Sequence, residues 1–173
     1  MFCIAEVIIF GDSNVLKYLK RFTGPKTIPT FTFSELKQNI KHLKQEKFII
    51  IHVLTNDVTF IHKNSDSVKF VECFRLASDF IDFITNLSSE NANKKIIVSE
   101  ILPRFDKQIL NKAGKIINEE ITKKLQQLFN VYLLSNDYLE ENSNFLEDCY
   151  HLTPLSFDSM FSNWKSSITS ITG

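Results

Sequence analysis

The chain has 173 residues, which fits one domain of ordinary size and leaves little room for a second. Apolar residues make up 43% and charged residues 23%, a balance that builds a core and excludes a disordered chain. Twenty basic residues offset twenty acidic ones, so no global field draws the protein to nucleic acid or an anionic membrane, although a local basic patch stays open. Phe occurs 16 times against four Gly and four Pro, which points to long regular elements with short connections.

The first ten residues are apolar, but they lack a basic leader, carry Glu6 and run straight into Gly11-Asp-Ser. They read as a strand, Ile4 to Phe10, and not as a signal peptide, and no other run is long enough to span a membrane. Thr27 to Thr32 is a weaker strand, interrupted by Pro29 and therefore expected at an edge. Ser34-Glu-Leu-Lys opens a helix. Lys47 to Val53 is the clearest strand. Val71, Phe74, Ala77, Ile81 and Ile84 fall three or four apart, the apolar stripe of a helix over about 67–87. Lys95 to Ser99 is the fourth strand. Ile109, Ala113, Ile116, Ile117, Ile121, Leu125 and Leu128 mark the next helix, Asn130 to Leu134 the last strand, and Leu155 to Ile171 the closing helix.

Apolar strands alternating with helices predict an α/β domain with a flavodoxin-like, doubly wound, parallel five-stranded sheet in the order 2-1-3-4-5. In that order strands one and three are neighbours at the switch point, and ligands bind beyond their carboxyl ends. Gly11-Asp12-Ser13-Asn14 follows strand one, and Leu54-Thr55-Asn56-Asp57 follows strand three. Asp148-Cys149-Tyr150-His151 precedes the last helix.

These three blocks, in this order, resemble those of the SGNH (GDSL-type) hydrolases, and the resemblance spans essentially the whole chain. The small size and Val98-Ser-Glu-Ile-Leu-Pro-Arg-Phe105 look most like the compact esterase domains of retrotransposon proteins. The same minimal fold occurs in the Oskar C-terminal domain, which the family regards as a non-catalytic RNA binder. The resemblance implies Ser13, His151 and Asp148 as catalytic residues. For the oxyanion hole it implies Asn56, the Ser13 N–H and Thr30, the nearest counterpart of a family glycine after strand two. It implies no cofactor and no metal.

The residue types suit that chemistry independently of the family. A serine hydroxyl needs a base to take its proton as it attacks, and an imidazole titrates near neutral pH. Asp148, three residues before His151, can accept from the imidazole and hold its tautomer. Ser13 at a helix start offers a backbone N–H, and Asn56 a neutral amide, to a developing oxyanion; one such donor contributes roughly 3–4 kcal/mol. Taken singly, each element also has an ordinary reading: Asp12-Ser13 as a helix cap, Asn56-Asp57 as a turn, Asp148 and His151 as a surface pair.

The chain departs from the family pattern at Leu54 and at Thr30, where glycines are usual and where a positive φ would be costly. Cys3, Cys73 and Cys149 are odd in number with no metal spacing, which predicts reduced, inward-packing thiols in an intracellular, cytoplasmic protein. His52 reads as a satisfied core histidine. Lys37, Lys41 and Lys44 share one helix face and, with Lys47, form a modest basic ridge. Phe31 and Phe33 read as burial against the sheet. The expected function is a serine esterase acting on small or medium acyl esters through an acyl-enzyme. The alternative is an inactive SGNH-like module that binds RNA or protein.

Overall fold

The computed structural model describes residues 6–18 and 24–172; Cys3 and the expected strand start at Ile4 lie outside them. The apolar runs become five strands: β1 (Val7–Gly11), β2 (Lys26–Pro29), β3 (Phe48–His52), β4 (Lys95–Ser99) and β5 (Val131–Leu134). All neighbours pair in parallel, in the order β2-β1-β3-β4-β5. The helices are α1 (Ser13–Tyr18), α2 (Phe33–Asn39), α3 (Thr55–Ile61), α4 (Phe70–Glu90), α5 (Gln108–Leu125) and α6 (Pro154–Thr172).

Every residue of β1 and β3 is buried, as strands covered on both faces must be. Alternate side chains feed two cores. Ile8, Phe10, Ile49 and Ile51 join Leu36, Phe80, Ile84 and Ile117 on one face. Ile9, Ile50 and Ile97 join Val15, Phe157, Met160 and Trp164 on the other. Burial of one such side chain contributes about 1.5–3 kcal/mol, so these two layers fix the sheet's register. At the junction of β1 and α1 an added Cβ on Gly11 would stand 2.6 Å from Val15 Cβ. The helix carrying Ser13 can therefore approach the strand only where a residue has no side chain.

Several expectations need correction. β2 ends at Pro29, short of Thr32, because Thr32 caps α2: its Oγ1 accepts from Glu35 N at 3.2 Å, while Glu35 Oε2 accepts from Phe31 N at 2.7 Å. The buried face of α4 is Cys73, Ala77, Phe80, Ile84 and Leu87, leaving Val71 and Phe74 exposed. Both stripes have helical spacing and share Ala77 and Ile84, so periodicity alone does not choose between them. Helix α3 was not expected; the residue at its N-cap is Leu54, discussed below.

The lysine ridge also dissolves. Helix α2 ends at Asn39, Lys41 lies in a separate 3₁₀ turn (Ile40–His42), and Lys44 lies beyond it. Lys37 packs over the Phe33 ring at 4.4 Å, and Lys47 pairs with Glu6 at 2.7 Å. Phe33 is buried as expected, whereas Phe31 is 37% exposed. Among the described residues no helix is long and apolar enough to cross a membrane.

Candidate active site

Strand β1 delivers Ser13 to the first position of α1, at the carboxyl edge of the sheet beside β3. The segment between β5 and α6 folds back over the same edge. There His151 Nε2 lies 3.1 Å from Ser13 Oγ, and His151 Nδ1 lies 2.7 Å from Asp148 Oδ2. Asp148 Oδ1 accepts from the backbone N–H of His151 at 2.9 Å and of Tyr150 at 3.2 Å. Partial burial alone would raise the Asp148 pKa. The two backbone N–H groups and the imidazole outweigh it and hold the carboxyl at about 2. An ionised carboxylate only accepts hydrogen bonds, so Nδ1 carries the imidazole hydrogen and Nε2 presents its lone pair to the serine hydroxyl.

Two residues not singled out in the sequence fix this approach. Leu152, next to His151 and fully buried, is gripped from α1: its N–H donates to Asn14 Oδ1 at 2.9 Å, and its carbonyl accepts from Tyr18 Oη at 2.6 Å. Both anchors lie on the helix that begins with Ser13, so nucleophile and imidazole share one rigid support. A polar Asn beside the serine on a helix face that packs inward was the available signal. Cys149 does not pack inward as expected. It is partly exposed, with φ 62°, in the left-handed region that turns the chain between Asp148 and His151.

Asn56 stands at the start of α3, next to the carboxyl end of β1. One of its amide hydrogens goes to the Phe31 carbonyl at 3.0 Å, which leaves the second for another acceptor. Its neighbour Asp57 accepts from Phe33 N at 3.0 Å; burial raises the Asp57 pKa, against the pull of that N–H. Together they tie α3 to the β2–α2 loop. Leu54, where the resemblance to SGNH hydrolases leads one to expect glycine, has φ 83° and is 2% exposed. The backbone therefore makes the turn a glycine would make, at a cost in strain, while the side chain points into the core.

Thr30 is not placed as an oxyanion donor. Its N–H donates to the Gly11 carbonyl at 2.9 Å, and its hydroxyl donates to the Ile28 carbonyl at 3.0 Å, so the residue extends the β1–β2 ladder. The extension explains why it is fully buried.

Beneath Ser13 lies a buried polar layer. Asp12 Oδ1 accepts from Asn14 N at 2.9 Å, and Asp12 N donates to the His52 carbonyl at 3.2 Å. His52 is only half satisfied: Nδ1 meets Ser99 Oγ at 3.0 Å, while Nε2 has no hydrogen-bond partner and lies 3.9 Å from Asp12 Oδ1. Burial lowers its pKa, outweighing the nearby carboxylate, which makes the ring neutral and not an ion-pair partner.

Two sizeable cavities among the described residues lie elsewhere. One of about 540 Å³ is lined by Glu100, Lys115, Glu119 and Asp137, the other of about 420 Å³ by Ile40, Lys44, Phe83 and Leu87. Neither has the paired base and nucleophile that chemistry requires, so geometry outranks volume here.

The sequence matches no protein-family model and no curated protein. Solved structures do match. A Streptococcus pneumonia protein described as a candidate platelet activating factor is 16% identical, with 94% of this chain and 83% of that one covered and a TM-score of 0.74. A GDSL-like lipase from Bacteroides thetaiotaomicron is also 16% identical, covering 97% and 89%, with a TM-score of 0.69. A family 3 carbohydrate esterase from Talaromyces cellulolyticus is 12% identical, covering 95% and 96%, with a TM-score of 0.69. At these identities the likeness is one of fold, and the fold is that of the SGNH, or GDSL-type, hydrolases.

Proposed function

On this SGNH-type fold, we propose that the chain is a serine esterase that hydrolyses small or medium acyl esters. The observation that carries the reading is the relay Asp148–His151–Ser13, with steps of 2.7 and 3.1 Å at the carboxyl edge of β1 and β3. Ser13 Oγ attacks the acyl carbon while its proton passes to His151 Nε2. The imidazolium, steadied by Asp148, then gives that proton to the departing alkoxide as the C–O bond breaks. Water repeats the two steps to release the acid and restore Ser13. The Ser13 N–H, which has no intrahelical acceptor, and the free Asn56 hydrogen support the oxyanion. The set needs no cofactor.

The rival reading is an SGNH-like module that binds RNA or protein without catalysis. What favours it is the oxyanion hole: Thr30 N–H is spent on Gly11, and one Asn56 hydrogen is spent on Phe31. The loss of the lysine ridge weakens its RNA form.

Hydrolysis of p-nitrophenyl acetate and butyrate separates the two. The esterase reading expects saturable turnover well above the uncatalysed rate. A folded protein without turnover supports the binding module.

A further inference from the structure

Arg104, between β4 and α5, is only 8% exposed, a position that a charged side chain takes only when it is paired. Nη1 donates to Thr59 Oγ1 at 2.8 Å, Nε donates to Asp106 Oδ1 at 2.8 Å, and Nη2 meets the other oxygen of that carboxylate. The Thr59 hydroxyl in turn donates to the carbonyl of Thr55 at 3.0 Å, the residue before Asn56. The guanidinium also lies 4.7 Å from the centroid of the Tyr150 ring, and that ring lies 4.2 Å from the His151 ring. The next backbone N–H, of Phe105, donates to the Cys149 carbonyl at 3.0 Å.

We propose that Arg104 is a positioning residue for His151, holding Tyr150 and through it the imidazole at a fixed place relative to the helix that carries Asn56. The kinetic consequence rests on the esterase reading above; the clamp itself does not. Leu152 is gripped by α1, which fixes the backbone beyond His151, whereas the ring is steadied by Asp148 on one edge and Tyr150 on one face. The turn between them contains Cys149 at φ 62°, a conformation that persists only where its surroundings over-determine it. A planar guanidinium can donate in its plane to Thr59 and Asp106 while its face meets an aromatic ring. A lysine ammonium is a point charge and cannot do both.

The test compares Arg104→Lys, Tyr150→Ala, Tyr150→Phe and the double variant Arg104→Lys/Tyr150→Ala. Steady-state kinetics on a p-nitrophenyl ester are read beside the ¹H–¹⁵N signals of the His151 ring. Arg104→Lys and Tyr150→Ala are each expected to lower kcat roughly 10- to 100-fold, because a small misplacement of a reacting group has that effect. KM should stay within about threefold, since ground-state binding is untouched. Tyr150→Phe should restore the wild-type rate, and the double variant should be no worse than the worse single, as residues of one unit behave. The ring signal should show one Nδ1–H tautomer in the wild type and in Tyr150→Phe, and broaden or shift in the other variants. Wild-type kcat in Arg104→Lys, or a lower Tm with an unchanged ring signal, overturns the proposal. If the wild-type protein hydrolyses no ester, the esterase reading fails while the ring signals still decide the clamp.

Discussion

Replacing Ser13 by Ala, or His151 by Ala, is expected to lower kcat by on the order of 10⁴- to 10⁶-fold, the range found where nucleophile and base act as one unit. The two groups meet at 3.1 Å, so either loss removes the same step, the transfer of the hydroxyl proton as the acyl carbon is attacked. The double variant should therefore be no slower than the slower single. Folding should survive in both. Ser13 is half-buried with its N–H at a helix start, and His151 is anchored through the backbone of Leu152. Hydrolysis of p-nitrophenyl acetate beside a thermal melt checks both halves. Additive losses would mean that Ser13 and His151 act in different steps.

Asp148→Asn carries the second large effect, a fall in kcat of about 10³- to 10⁴-fold with the fold intact. An asparagine carbonyl can still accept from the N–H groups of Tyr150 and His151, so the turn is kept. Its amide would donate toward Nδ1, forcing the hydrogen onto Nε2, and an Nε2–H cannot take the proton of Ser13. The pH dependence follows from the depressed carboxyl. With a folded pKa of about 2 against an ordinary 3.8, Asp148 is ionised through the whole working range. Its contribution to stability is complete above the ordinary value and is lost as pH falls toward about 2. Loss of activity under milder acid would therefore not come from Asp148. A kcat profile in which Asp148→Asn matches the wild type would remove Asp148 from the relay.

The sheet was legible because parallel strands buried on both faces must be apolar throughout, and Phe48-Ile-Ile-Ile and Lys95-Ile-Ile-Val leave little else to build. The face of α4 was not, because Val71-Phe74 and Cys73-Phe80 are equally good helical stripes and only packing against α5 selects one. Among the candidate site residues, Ser13 and His151 are 138 positions apart and were joined only by the order of three short blocks. Thr30 shows where such reasoning stops. A sequence places a residue near a strand end, but the ladder decides where its N–H points, and here that is the Gly11 carbonyl. Asn14, Tyr18 and Arg104 escaped notice for a related reason. Each works through one hydrogen bond or ring contact to a distant segment, and no local periodicity records that.

The central claim is that Ser13 is a nucleophile activated by His151, and covalent labelling reads it without knowledge of the natural ester. The protein is incubated with a fluorophosphonate probe, and intact mass and peptide mapping follow the adduct. The account predicts one phosphonyl group on Ser13, fast in the wild type, strongly slowed in His151→Ala and absent in Ser13→Ala. A folded wild-type protein that stays unlabelled, or one labelled equally well after Ser13→Ala, would contradict it.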